Sequence, residues 1–185
     1  MRITRPLVIA ALAASLVAAG GTAASASTNS PQHFRHGQEY FVLWTSSPSN
    51  TPTYALAAHG VFNGFGVTKT VSATSSLVVL FTRVAGGTYW TFAKENGTSQ
   101  TATNPYTCRV TYTSYGNTYQ IKYGTGRLWG LFGWGTYSIF AVQTVPRLYP
   151  KGPCNFGSPY PVPGTTFTII HASGPVFLPK HHKYY

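Results

Sequence analysis

Gly124-Thr125-Gly126-Arg127-Leu128-Trp129-Gly130-Leu131-Phe132-Gly133-Trp134-Gly135-Thr136-Tyr137 is the stretch whose reading decides the fold. Gly124, Gly126, Gly130, Gly133 and Gly135 interrupt aromatic and apolar residues between two strand-like segments. Glycine tolerates sharp bends and lets two backbones approach closely, which the corners of a closing barrel require. Just upstream, Tyr119, Ile121 and Tyr123 alternate with Thr118, Gln120 and Lys122, the period of a half-buried strand. Just downstream, residues 136–145 form a long segment of mixed character.

Working outward, residues 38–45 are aromatic and β-branched and are broken by Pro48, Asn50 and Pro52. Residues 54–62 close on Asn63-Gly64, and residues 67–73 and 76–83 follow. Ala85-Gly86-Gly87 turns the chain into residues 88–94, and Asn96-Gly97 turns it again. Residues 107–113 lead through Tyr115-Gly116-Asn117, read as a turn, into residues 118–123. A proline-rich excursion over 146–163 carries Cys154, and residues 165–173 are the last strong strand. Strands at this spacing with Gly or Asn turns argue a sandwich or a barrel. No helical period of useful length follows residue 26, so the expected class is all-β.

Leu77-Val78-Val79-Leu80-Phe81 bears on assembly. Neighbouring side chains of a strand point to opposite faces, so five consecutive apolar residues place apolar groups on both. One face belongs to the core. The other calls for a loop, a terminal segment or another subunit, and a homo-oligomer stands level with self-coverage.

The beginning of the chain reads as an export signal. Arg2 and Arg5 form a positive start, residues 7–20 a weakly apolar run, and Ala24-Ser25-Ala26 a small-residue cleavage site, with the cut between Ala26 and Ser27. The apolar run is shorter than the ~20 residues a membrane-spanning helix needs. No cysteine lies near the cut, which excludes a lipoprotein, and the arginines are not adjacent, which argues against the twin-arginine route. The expected organisation is a signal over 1–26, a flexible leader over 27–37, a barrel domain over 38–179 and a basic tail over 180–185. The mature protein is expected outside the cell, with no transmembrane segment.

Lys and Arg number 13 against 2 acidic residues, for a formal net charge of +11. Both acidic residues are glutamates, Glu39 and Glu95, and most of the excess survives loss of Arg2 and Arg5 with the signal. Such a charge attracts anionic partners at long range. Outside a cell these include wall polymers, acidic polysaccharide and anionic lipid. The basic residues are scattered singly, poor material for a nucleic-acid groove. Cys108 and Cys154 are the only cysteines, and export places them in an oxidising compartment, where a pair is expected to form a disulfide.

The glycine stretch resembles the Gly-Thr-Gly-x-Phe/Leu-x-Gly-x-x-Gly pattern of the allene-oxide-cyclase-like and dirigent-like barrels. It is also similar to small exported bacterial proteins that carry this domain. Those proteins tend to place a cysteine on the upstream strand pair, here Cys108, and to end in an apolar strand before Ala172-Ser173-Gly174-Pro175-Val176. The resemblance spans roughly residues 54–178. It implies a single antiparallel barrel of about eight strands, whose interior is just wide enough for side chains or one small ligand. It further implies an apolar substrate or ligand held inside, in the manner of cyclases that confine a fatty-acid epoxide or a polyene. Dirigent chemistry uses cavity aspartates, and this chain contains no aspartate.

The residues available for chemistry are few. Glu39 flanks an aromatic strand and is the carboxylate candidate, whereas Glu95 beside the Asn96-Gly97 turn reads as solvated. His59 and His171 fall on strands, and His171 shares a side with Phe167 and Ile169, so both are weak general-base candidates. His33, His36, His181 and His182 fall in the leader and tail. No Gly-x-Ser-x-Gly occurs and no aspartate can orient a histidine, which argues against a hydrolase triad. The His181-His182 pair has no cysteine or carboxylate at ligand spacing, so neither a metal nor any other cofactor is expected. Asn96-Gly97-Thr98 fits the N-glycosylation triplet. Two readings stand: a non-enzymatic exported barrel binding an apolar small molecule or an anionic surface polymer, and a cyclase or isomerase that acts by confining its substrate.

Overall fold

The computed structural model describes residues 34–46, 52–158 and 160–180. The expected signal and Ala26–Ser27 cut, most of the expected leader and most of the expected tail, with His33, His181 and His182, lie outside these residues. Among the described residues the alternating sequence forms β1 (Phe34–Thr45), β2 (Thr53–His59), β3 (Gly64–Ala73), β4 (Val78–Val84), β5 (Gly87–Lys94), β6 (Thr98–Asn104), β7 (Arg109–Lys122), β8 (Phe132–Thr144) and β9 (Phe167–Pro179). Their lateral order is β5-β4-β3-β2-β1-β9-β8-β7-β6, and β5 pairs in addition with β7. That extra pairing runs from Trp90↔Lys122 to Lys94↔Thr118 and closes eight antiparallel strands into a barrel. β6 stands outside the ring, paired with the first half of β7.

Alternation decides what the ring encloses. Phe41, Leu43, Leu56, Ala58, Val84, Tyr89, Ala93, Tyr119, Ile121 and Tyr137 are buried, each two residues from the next inward position on its strand. Full burial of a side chain such as Leu56 or Ile121, each 2 % exposed, stabilises the fold by ~1.5–3 kcal/mol. The inside is not uniformly apolar. Thr68 and Thr82 face each other across β3 and β4 and join their hydroxyls at 2.9 Å, so neither buried oxygen is orphaned.

The glycine stretch serves the barrel in two ways. Its first half is a cap rather than a bend: a single 3-10 turn, Gly126–Leu128, drops Leu128 and Leu131 (4 % and 1 % exposed) under one end of the ring. Gly126 sits at φ +61°, and a Cβ there would stand 2.3 Å from the Gly86 carbonyl oxygen. Its second half lies within β8, where β9 passes unusually close. A Cβ on Gly135 would meet the Ser173 oxygen at 2.1 Å, and one on Gly174 would meet the Trp134 oxygen at 2.0 Å. Alanine at either position would push two barrel strands apart.

Several expected boundaries move. β1 begins at Phe34 rather than at residue 38, and its first residues pair along the end of β9, Phe34↔Pro179 to Gly37↔Val176. The leader is therefore strand from Phe34 onward. Tyr115-Gly116-Asn117 is a bulge inside one long β7, not a turn between two strands. Gly116 takes φ +73°, and Asn117 is fully buried, accepting from the Gly97 N–H at 3.0 Å and donating to Ser114 Oγ at 2.7 Å. This bulge lets β7 exchange partners, from β6 on one side of it to β5 on the other. The outer side of the apolar run in β4 is partly covered by its neighbour strand: Phe81 packs on Trp90 with ring centroids 5.1 Å apart.

Cys108 and Cys154 form a disulfide, fixing the proline-rich excursion to the start of β7 with Cα atoms 5.1 Å apart. Arg147 clamps the same region, donating to the Gly152 oxygen at 2.6 Å and to the Tyr106 oxygen at 2.6 Å. Two charge-assisted bonds at a partly exposed site are worth ~1.5 kcal/mol. Arg147→Ala is accordingly expected to lower unfolding stability in urea by that amount and to speed proteolytic nicking within 146–163.

Candidate functional site in the barrel lumen

The barrel has one filled end and one open end. At the filled end Leu128, Leu131, Val176 and Leu178 pack beneath Glu39 and Val61. Above them Phe41, Phe62, Tyr89 and Tyr119 form an aromatic layer with ring centroids 6.1–6.4 Å apart. Beyond this layer lies a cavity of about 120 Å³. Leu56, Ile121, Ala93, Ile139, Ile170 and Ala172 supply its apolar wall, and the ring of Tyr137 another side. Tyr54, Thr70, Val78 and Glu95 line it toward the end of the barrel opposite Glu39.

Few polar groups reach this space. The hydroxyls of Thr68 and Thr82 bond each other, and the Tyr89 phenol also bonds Thr82. The Tyr119 hydroxyl is buried and has no hydrogen-bond partner among the described residues. Burial and, to a lesser degree, the charge of Glu39 push its phenol well above the usual range. Tyr89 and Tyr137 are raised chiefly by burial too, so all three remain protonated donors over the physiological range. A buried, unpaired hydroxyl costs about 1 kcal/mol or more. Tyr119→Phe is expected to raise the melting temperature of the empty protein for that reason.

Glu39 does point inward, but it stands behind the aromatic layer and outside the cavity wall. Its side chain is fully enclosed; Oε2 accepts from the Phe62 N–H at 3.1 Å, while Oε1 has no partner among the described residues. Desolvation raises its pKa from 4.5 to about 7, against the opposing pull of the Phe62 and Val61 amides and of His59. One glycine makes room for this carboxyl, since a Cβ at Gly60 would stand 3.0 Å from Oε2, and Gly174 is the register partner of Glu39 on β9. Neither can be identified as a neighbour of Glu39 from chain position alone.

The two histidine candidates are not in the lumen. His59 ends β2 at the surface, its Nδ1 2.9 Å from Asn63 Oδ1. His171 is exposed on the outside of β9, because Ile170 and Ala172 are the inward residues there. It lines a shallow outer groove with Tyr40, Tyr115, Ser138 and Ser173. Glu95, expected in solvent, is exposed yet borders the cavity. Asn96 holds its turn by accepting from the N–H and hydroxyl of Thr118 at 3.0 and 3.1 Å. Among the described residues no group of three His, Cys, Asp or Glu is placed to hold a metal ion. The lining residues the sequence does not single out are Tyr119 and Tyr137; strict alternation through 118–123 marks the first as half of an inward set, without telling which half. No protein-family model, no curated protein and no solved structure matches the chain.

Proposed function

We propose that this is an exported barrel that binds one small apolar molecule in its lumen, held by shape and by a hydrogen bond to the Tyr119 hydroxyl. The observation that carries this reading is an aromatic-floored cavity of about 120 Å³ whose wall includes Tyr119, a residue with a buried hydroxyl that has no partner among the described residues. A dry apolar cavity of about 150 Å³ holds benzene, so at about 120 Å³ this one takes at most a single small ring or a short branched alkyl group, with any longer part of the ligand leaving by the Glu95 end. We read the barrel itself as allene-oxide-cyclase-like, because the glycine stretch of that pattern sits at the end of a closed ring of eight strands.

The second reading, a cyclase or isomerase, is favoured by one observation: Glu39 titrates near neutrality, where a proton-transfer group works best. The aromatic layer between Glu39 and the cavity weighs against it. Native mass spectrometry of protein taken from its own culture medium tests the preferred reading. A bound mass of fewer than about a dozen heavy atoms inside the lumen, retained by wild type and lost from Tyr119→Phe, is the expected result. Turnover of a bound polyene or epoxide, abolished in Glu39→Gln but not in Tyr119→Phe, would instead establish the enzyme.

A further inference from the structure

We infer that the outer face of β3, β4, β5 and β7 docks onto an anionic lipid surface. Strand register lays out this face as rows. Lys69, Phe81, Trp90 and Lys122 stand side by side across the four strands, an aromatic pair between two cations. The next row runs Val79, Phe92 and Gln120, and the Lys122 ammonium lies 5.8 Å from the Phe92 ring centroid. Arg83 and Lys94 add positive charge at outward positions of β4 and β5, and both are exposed. No carboxylate offsets them on this face: Glu39 is enclosed in the barrel and Glu95 borders the lumen.

Around this patch apolar side chains stand out into solvent. Phe65 is 79 % exposed and Tyr123 is 68 % exposed, with Val67 next to Phe65 on β3 and Val71 further along the strand, past Lys69. Cations ringing exposed aromatic and aliphatic groups suit the boundary of a bilayer, where lysines meet headgroup charge and rings insert at the headgroup level. A second copy of the chain suits the face poorly, since it would press Lys69, Arg83, Lys94 and Lys122 against their own kind. A hydrophilic polyanion would neutralise the cations but leave Phe65, Val67 and Tyr123 in water. This surface is separate from the lumen, and its test does not depend on any lumen ligand.

Co-sedimentation of the full mature chain with phosphatidylcholine vesicles, with and without phosphatidylglycerol, tests it. Binding that requires phosphatidylglycerol and weakens in salt is expected, each lysine contributing a factor of about five. Lys69→Gln/Lys122→Gln should therefore bind roughly 30-fold more weakly at unchanged melting temperature. Phe65→Ser, at a site that touches little of the core, should also bind more weakly while keeping the same salt dependence. Equal binding to pure phosphatidylcholine, or undiminished binding of the double lysine variant, would overturn the inference. So would binding to soluble polyphosphate with none to vesicles, or a dimer that Phe65→Ser dissociates.

Discussion

Replacing Cys108 and Cys154 together by alanine should lower unfolding stability by about 4 kcal/mol, the largest effect expected of any change away from the barrel core. The bond closes a loop of 46 residues, and cross-linking a loop of that length removes this much conformational freedom from the unfolded chain in the chain-entropy model. The folded barrel should survive, because both cysteines lie at the junction of the proline-rich excursion with β7 rather than inside the ring. Cys108 is 2 % exposed, so part of the loss comes from the packing its sulfur gives up. Urea unfolding of the oxidised protein and the double variant measures the difference. A loss below ~1 kcal/mol would mean that the unfolded chain keeps the two segments together without the bond.

Stability should fall as pH rises from about 4.5 to about 7, by as much as ~3 kcal/mol, with Glu39 as the cause. The folded protein holds the Glu39 proton up to about pH 7, whereas the unfolded chain releases it near its ordinary value of 4.5. A carboxyl with a raised pKa binds protons more tightly when folded, so its contribution is most favourable below 4.5 and is lost progressively up to 7. Above 7 both states are ionised and the slope vanishes. Glu39→Gln keeps an acceptor for the Phe62 N–H and has no proton to lose. It should be flat across this window and more stable than wild type at pH 8. A variant that retains the wild-type slope would show that another group carries the dependence.

Much of the fold is legible in the residues because neighbouring positions on a barrel strand face different solvents. Tyr119 and Ile121 alternate with Gln120 and Lys122, and that strand closes the ring. β6 is the opposite case: Thr98–Asn104 is exposed at every position and polar but for Ala102, so it carries no period to read, and its order comes from backbone pairing with β7. Tyr115-Gly116-Asn117 has turn composition, but the pairing on either side turns it into a bulge with Asn117 inside. Local composition cannot distinguish these, because both use a glycine at positive φ.

The lumen is harder to read for a physical reason. β1 presents Glu39, Phe41 and Leu43 inward and Tyr40, Val42 and Trp44 outward, and apolar residues on both faces hide which is which. Similarly, nothing local marks His171 as outward when Ile169 and Ile170 flank it on both faces. The room for Glu39 depends on Gly60, which meets it only after β2 has paired with β1.

Titration of benzene into the 15N-labelled protein, followed by amide and aromatic chemical shifts, tests the lumen reading most directly. Ala93→Leu and Ala172→Leu, which add side-chain volume at two separate points of the cavity wall, serve as filled controls once their folds are verified by circular dichroism. Saturable one-to-one shifts centred on Tyr119, Ile121 and Tyr137 in wild type, weakened at least tenfold in both filled variants, are the expected result. Shifts of equal size in wild type and both variants, or none in wild type, would contradict a ligand-binding lumen.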